Sequence, residues 1–271
     1  MEQPIMIRTI NDYLAVIEVT GDDASKFLQG QLTNDVNLLN ETNSQLSAHL
    51  NNKGRIIANF IIFSNQANQY YLALPKGLEE ALIKRLKMFV LRSKVTIALS
   101  NQTITLCDKP EQIKPSYNFG DNYLVLTEAL DESSITENDW HNLLVNANLP
   151  FIYPNSSEKI IPQQINFELM GGVNFKKGCY TGQEIVARTH YLGKVKRRLV
   201  KFTSKNKPEI GEIITSPLID NQEIGFVIDF YQNNDNLYTG LASIQLTYIE
   251  ETHINSQAIK CTNIIENEQP N

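Results

Sequence analysis

QLSAHLNNKGRIIANFIIF, residues 45–63, sets two runs of strand-forming residues on either side of Asn51-Asn52-Lys53-Gly54. Asparagine and glycine tolerate the positive φ that a tight reversal needs, so the stretch predicts a β-hairpin and an antiparallel pair. Upstream, residues 13–19 (YLAVIEV) alternate β-formers and run into Thr20-Gly21-Asp22-Asp23 and ASKFLQGQL, which reads as strand, turn and short helix. Downstream, residues 70–74 form another strand. Residues 76–92 then place Leu78, Leu82, Ile83, Leu86 and Phe89 at the spacing of an amphipathic helix. Further strands are predicted over 95–99, 103–107 and 123–127. Strands and helices intermixed with hairpins predict an antiparallel α+β fold, not a doubly wound parallel sheet. No glycine-rich dinucleotide or phosphate-loop pattern is present.

The second half begins with an acidic stretch over 128–139, read as a surface loop. A helix over about 138–148 follows, opened by Trp140 and ended at Pro150. Residues 152–172 carry Pro, Asn and Gln with little periodicity, which predicts a long connection wrapped over a functional surface. After Gly193 the pattern is all β, with strands near 195–202, 212–215, 223–230, 237–241 and 244–248, and a small barrel is their natural closure. Residues 266–271 are expected to fray.

Length bounds the organisation: 271 residues suggest about two domains, or three small ones. A 42% hydrophobic and 20% charged composition is that of a folded globular protein. No apolar run reaches the ~20 residues of a membrane span, and the N-terminus lacks the pattern of a secretory signal, so a cytoplasmic location is expected. Three widely spaced cysteines, Cys107, Cys179 and Cys261, do not make a disulfide framework, and four histidines without HxH or HExxH spacing do not make a local metal site. A net charge of −6 excludes a protein whose whole surface binds nucleic acid. Yet eight basic residues and no acid lie between Arg188 and Lys207, either a solvated strand or a local anion-binding face.

The chemistry concentrates in FKKGCYTGQEIVAR, residues 175–188. Thr181 and Glu184 have capping-box spacing, which predicts a helix starting at once and running to Gly193. Cys179 would then sit at a helix N-terminus beside Lys176 and Lys177, where dipole and charge favour the thiolate. Gly171, Gly172, Gly178 and Gly182 would allow close backbone approach or positive φ. The alternative reading, a cysteine filling a small apolar space in a glycine turn, has equal standing on these residues alone. His190 is badly placed as a base for Cys179, so His49 or His141 would have to come from elsewhere in the fold.

KKGCYTGQE, with Lys177, Gly178, Cys179, Tyr180, Gly182, Gln183 and Glu184, resembles the signature of the YgfZ family. These are bacterial folate-binding proteins related to the glycine-cleavage T-protein. VTGDDASKFLQGQLTNDV, HLNNKGRIIANF, SKVTI and IPQQINFELMGGVNFKKGCYTGQEIVAR extend the resemblance over most of residues 13–198. It implies three small domains around a central folate-binding opening. These are a discontinuous folate-binding domain of 1–45 and 138–195, a second ferredoxin-like α+β domain of 46–137, and a C-terminal β-barrel of 196–271. It implies tetrahydrofolate or a derivative as cofactor and Cys179 as the functional thiol. The role it implies is the assembly or repair of iron–sulfur clusters in client enzymes such as the radical enzymes that thiolate tRNA, without the protein being the modifying catalyst.

The resemblance carries folate-contacting aromatics onto Tyr13 and Trp140, flat faces on which a pterin or aminobenzoyl ring can stack. Arg188 or Arg198 are candidates for the glutamate tail, although no motif assigns them. Two positions depart from the pattern. The pterin-holding glutamate of relatives falls on Asn146, a change costing about 1.5–3 kcal/mol for a lost charged hydrogen bond. The T-protein's catalytic aspartate falls on Ala58-Asn59, neither a carboxylate, so aminomethyl transfer and classical turnover are not expected. Two other functions remain open on sequence: a one-carbon transferase with different acid–base groups, and an RNA or protein adaptor using the basic run.

Overall fold

The computed structural model describes residues 7–108, 115–128 and 134–265. The hairpin forms as expected, with strands Ser44–Leu50 and Ile56–Gln66 paired antiparallel. Asn51 builds its turn: the side-chain Oδ1 accepts from the Lys53 and Arg55 amides at 2.9 and 3.0 Å, and Gly54 takes φ 71°. These two strands edge a five-stranded antiparallel sheet that continues through Gln69–Pro75, Leu14–Thr20 and Thr96–Leu99. Residues 56–64 are buried without alternation, because both faces of the sheet are covered. Helix α1 (Ala24–Gln29) and helix α2 (Glu79–Val90) belong to this part of the chain. Helix α2 buries Leu82 and Leu86 and carries Glu79 and Glu80 in its first turn, where carboxylates complement the dipole.

A second antiparallel sheet orders Ile7–Thr9, Gln102–Cys107, Asn122–Glu128 and Ser116–Phe119. Helix α3 (Glu137–Asn146) starts where Thr136 accepts a hydrogen bond from the Asp139 amide at 3.1 Å. The sheet memberships differ from the division expected at residue 45. Leu14–Thr20 lies between Gln69–Pro75 and Thr96–Leu99, so a cut there passes through one hydrogen-bonded sheet.

The last third is a closed six-stranded barrel, Arg197–Ser204, Tyr238–Gln245, Gln222–Gln232, Ile213–Ser216, Thr252–Ile254 and Gln257–Asn263. It has its own apolar cluster, which includes Val200, Phe202, Ile214, Ile224 and Val227. The α+β class with a C-terminal barrel is therefore as read from the sequence. Two expected strands merge into Tyr238–Gln245, and the closing pair Thr252–Ile254 and Gln257–Asn263 was not foreseen. Its turn uses Asn255 and Ser256, both at positive φ, in place of the glycine that marks such turns in sequence.

The connection over 152–172 is more than a surface wrap: it threads the core at several points, while Pro154, Asn155, Glu158, Lys159, Leu169 and Gly171 stay exposed. Ile152, Ile160, Ile165 and Phe167 are fully buried, and Ile160 and Glu158 exchange backbone hydrogen bonds with Ile56 at 2.8 Å. Little periodicity marks it because its contacts follow an irregular path, with only a 3-10 turn at Pro162–Ile165. Of the expected acidic loop over 128–139, residues 129–133 lie outside the described residues, Glu128 ends a strand and α3 already starts at Glu137; the expected fraying over 266–271 lies wholly outside them. Among the described residues, no helix is long and apolar enough to cross a membrane.

Candidate functional site

Asn174 sets up the cysteine loop. Its Oδ1 accepts from the amides of Lys176 and Lys177 at 2.8 and 3.1 Å, and its own amide donates to the Thr33 carbonyl at 3.0 Å. Lys177 then turns inward. Its Nζ donates to the Leu32 and Asn34 carbonyls at 2.7 and 2.8 Å and lies 5.2 Å from the centre of the buried Tyr180 ring. Burial lowers the Lys177 amine to about 8, partly offset by the charge of Asp35. On the far side of the loop, Gly182 at φ 81° packs on the hairpin turn beside Gly54.

Between these anchors Cys179 is exposed, whereas Cys107 is buried and Cys261 half-buried. Cys179 opens onto a shallow groove of about 520 Å³ whose other wall is Ser25, Lys26 and Gln29 of α1, with Asp22 just before the helix and Asn37 after it. That wall is itself ordered: Ser25 donates to Asn37 at 3.2 Å, and Gln29 to Asp35 at 2.9 Å. No residue of α1 stands out in the sequence as part of a site. The only signal was that VTGDDASKFLQGQLTNDV belongs to the same resemblance as the cysteine motif.

Two features expected to act on the thiol lie elsewhere. Helix α4 (Gln183–Leu192) is capped by Gly182 in the left-handed region with no side-chain cap, so Thr181 and Glu184 do not form the expected box. The close approach to the hairpin dictates this, because only glycine fits at 182. Helix α4 begins at Gln183, so Cys179 stands three residues before its cap, Gly182, and not at the cap itself. The Lys177 charge faces backbone carbonyls.

No expected histidine base reaches the thiol. His49 is fully buried, its Nδ1 is 3.0 Å from the Gln31 carbonyl, and burial lowers its ring to about 4. His190 stacks on Phe175, ring centres 3.8 Å apart. His141 pairs through Nδ1 with the buried Asp229 of the barrel at 2.5 Å, and Tyr153 donates to the other Asp229 oxygen at 3.1 Å. This trio was missed because its members lie far apart in sequence. Burial lowers His141, but its hydrogen bond and charge pairing with Asp229, aided by Glu137, outweigh this and raise it. Among the described residues, no group of three or more His, Cys, Asp or Glu could hold a metal ion.

Of the four residues expected to contact folate, the structure brings two together. Tyr13 stacks on Trp140, ring centres 6.0 Å apart and 12° between planes, and its hydroxyl donates to the Ile135 carbonyl at 2.9 Å. Trp140 is only 2% exposed and also stacks near Phe151, so it offers no open face. It is the backing of Tyr13, whose ring is partly open. Asn146, six residues on and about 120° away around α3, is exposed and donates to Asn142 at 2.6 Å. Arg188 is exposed on α4, while Arg198 is buried and paired with Glu168 at 2.6 Å. The set fits a flat ring at Tyr13 but supplies no fixed charged partner beside it. Asn59 is structural: its amide donates to the Pro150 carbonyl at 2.7 Å and accepts from the Ile152 amide at 2.8 Å, fully buried beside Ala58.

No family model matches the chain. Curated relatives do. The tRNA-modifying protein YgfZ of Colwellia psychrerythraea (strain 34H) is 30% identical over 257 residues, covering 81% of this chain and 79% of that protein. The protein of the same name from Enterobacter sp. (strain 638) is 30% identical over 272 residues, covering 86% and 83%. Among solved structures, the glycine cleavage system aminomethyltransferase T of Bartonella henselae superposes with a TM-score of 0.71 at 13% identity, over 96% of this chain and 85% of that one. At that identity the likeness is one of fold.

Proposed function

We propose a function on one premise, that this chain belongs to the YgfZ family, whose curated members carry the name tRNA-modifying protein. The protein supports tRNA modification in the cytoplasm. It does so as a folate-binding accessory to the assembly or repair of iron–sulfur clusters in tRNA-thiolating enzymes, with Cys179 as its functional thiol.

The observation that carries this reading is selective presentation of one thiol. Cys107 is buried, and burial pushes Cys261 up to about 11, which leaves little of the reactive thiolate. Cys179 alone is exposed, on a loop fixed upstream by the Lys177 amine and downstream by the contact between Gly182 and Gly54. Folate is supported by the family resemblance and by the partly open Tyr13 ring, which a flat heterocycle can cover while Trp140 holds it from behind. The position of the T-protein's aspartate is filled by an amide committed to backbone partners, so the reading assigns the chemistry on tRNA to a client enzyme.

The test is complementation of a host lacking the gene with wild type, Cys179→Ser and Cys261→Ser, at matched protein levels. Thiolated tRNA nucleosides are read by mass spectrometry. The expected result is loss with Cys179→Ser and retention with Cys261→Ser. Wild-type thiolation with Cys179→Ser overturns the role of the thiol.

A further inference from the structure

The C-terminal end of α4 exposes side chains that helices usually bury. Tyr191 is 66% exposed and Leu192 85% exposed. Both share a helix face with Arg188, being three and four residues on from it. Tyr191 is nevertheless held in place. It stands edge-to-face with His190 at 4.7 Å and with Phe175 at 6.0 Å, and those two rings stack on each other at 3.8 Å. A rigid aromatic presented to solvent gives up little conformational entropy when a partner covers it.

The run of chain that carries this ring is basic. From Ile185 to Pro208 the sequence has no acid, and Glu184 is the one acid on α4. Arg197 and Arg198 are neutralised by Glu223 and Glu168 at 2.8 and 2.6 Å. Arg188, Lys194 and Lys196 are exposed and make no ion pair among the described residues, and exposed Lys176 adjoins Phe175. A two-fold contact between copies of this chain would set these cations against themselves. The complement of an exposed ring flanked by unneutralised cations is a polyanion with open flat faces.

We infer that this face binds an unpaired segment of RNA, with a base on Tyr191 and phosphates on Arg188, Lys194 and Lys196. Paired RNA keeps its base faces inside the helix and cannot use the ring. The inference deepens the tRNA reading and rests on it for the choice of RNA over DNA. It gives the accessory protein its own grip on the substrate of its client enzymes.

Fluorescence anisotropy with the full chain tests it, using a labelled anticodon stem-loop and a fully paired RNA of equal length across a potassium chloride series. The stem-loop is expected to bind more tightly than the paired RNA. Tyr191→Ala should weaken it about tenfold and Tyr191→Phe should restore it, as expected for a lost stacking contact. Reversing Lys194 and Lys196 to Glu should reduce the salt slope by about 1.4, from two lost phosphate contacts on a single strand. Equal binding of the paired RNA, no binding, or indifference to Tyr191→Ala overturns the inference. Loss of self-association in Tyr191→Ala, read by sedimentation, overturns it in favour of a second copy. Circular dichroism checks that these surface variants fold. The complementation assay separates the two readings: indifference to Tyr191→Ala with loss of thiolation in Cys179→Ser sinks the RNA face and leaves the proposed function standing.

Discussion

Gly182 and Gly54 touch. A Cβ on Gly182 would stand 3.1 Å from the Gly54 Cα and run into the Asn51 carbonyl oxygen, and both glycines hold positive φ, 81° and 71°. The cysteine loop is therefore docked on the hairpin turn by a contact that no other residue pair permits. Gly182→Ala adds a left-handed non-glycine residue and a backbone clash, and should cost more than about 2 kcal/mol. Denaturant unfolding measures the loss, and alkylation of Cys179 followed by mass spectrometry shows whether the loop has left its seat. Wild-type stability in this variant would mean that the contact is dispensable.

The same contact explains what sequence could and could not reveal. The hairpin was legible because Asn51 and Gly54 carry turn chemistry in their side chains, or in the lack of one. The capping box at Thr181 and Glu184 was a sound local pattern defeated by packing, since the hairpin forces Gly182 into the left-handed region. Trp140 was legible as a helix residue, but its burial under Tyr13 depends on partners 127 and 11 residues away, Tyr13 and Phe151. The barrel's last two strands hid behind an Asn-Ser turn.

Asn59 divides the fold from the T-protein's chemistry. An aspartate there keeps the acceptor for the Ile152 amide but turns the donor facing the Pro150 carbonyl into a second acceptor. Asn59→Asp should therefore lose about 3 kcal/mol or more at neutral pH, the cost of an unpaired buried charge. Acid should restore part of it, because a protonated carboxyl can donate to Pro150. Urea titrations at two pH values check the sign, and equal losses at both would refute the buried-charge account.

His141 and Asp229 tie α3 to the barrel. Removing the imidazole leaves Asp229 fully buried without its cation, so His141→Ala should cost about 3–5 kcal/mol. The folded His141 ring titrates above its ordinary value, because Asp229 and Glu137 outweigh burial. Its contribution is thus complete below an unfolded value of about 6.5 and fades as pH rises through the raised folded value. The stability gap between wild type and variant should narrow on the alkaline side. A gap that widens there would contradict the pairing.

Lys177 gives the opposite slope near the cysteine. Burial depresses its amine to about 8, below the usual 10.5. Between those values the unfolded chain holds the proton that the folded chain has released, so this residue makes stability rise with pH across that window. The neutral amine still has two hydrogens for the Leu32 and Asn34 carbonyls, which lets it deprotonate without losing its bonds. Lys177→Met keeps the apolar stem but strands both carbonyls, at a cost of about 1–3 kcal/mol each. It should be less stable than wild type at every pH, with the gap growing from pH 8 to 10.5. Asn34 and Leu32 lie just after α1, so the same variant should loosen the groove wall opposite Cys179. Hydrogen exchange at residues 30–37 reads that directly, and unchanged protection would show that Lys177 holds its own loop and nothing across from it.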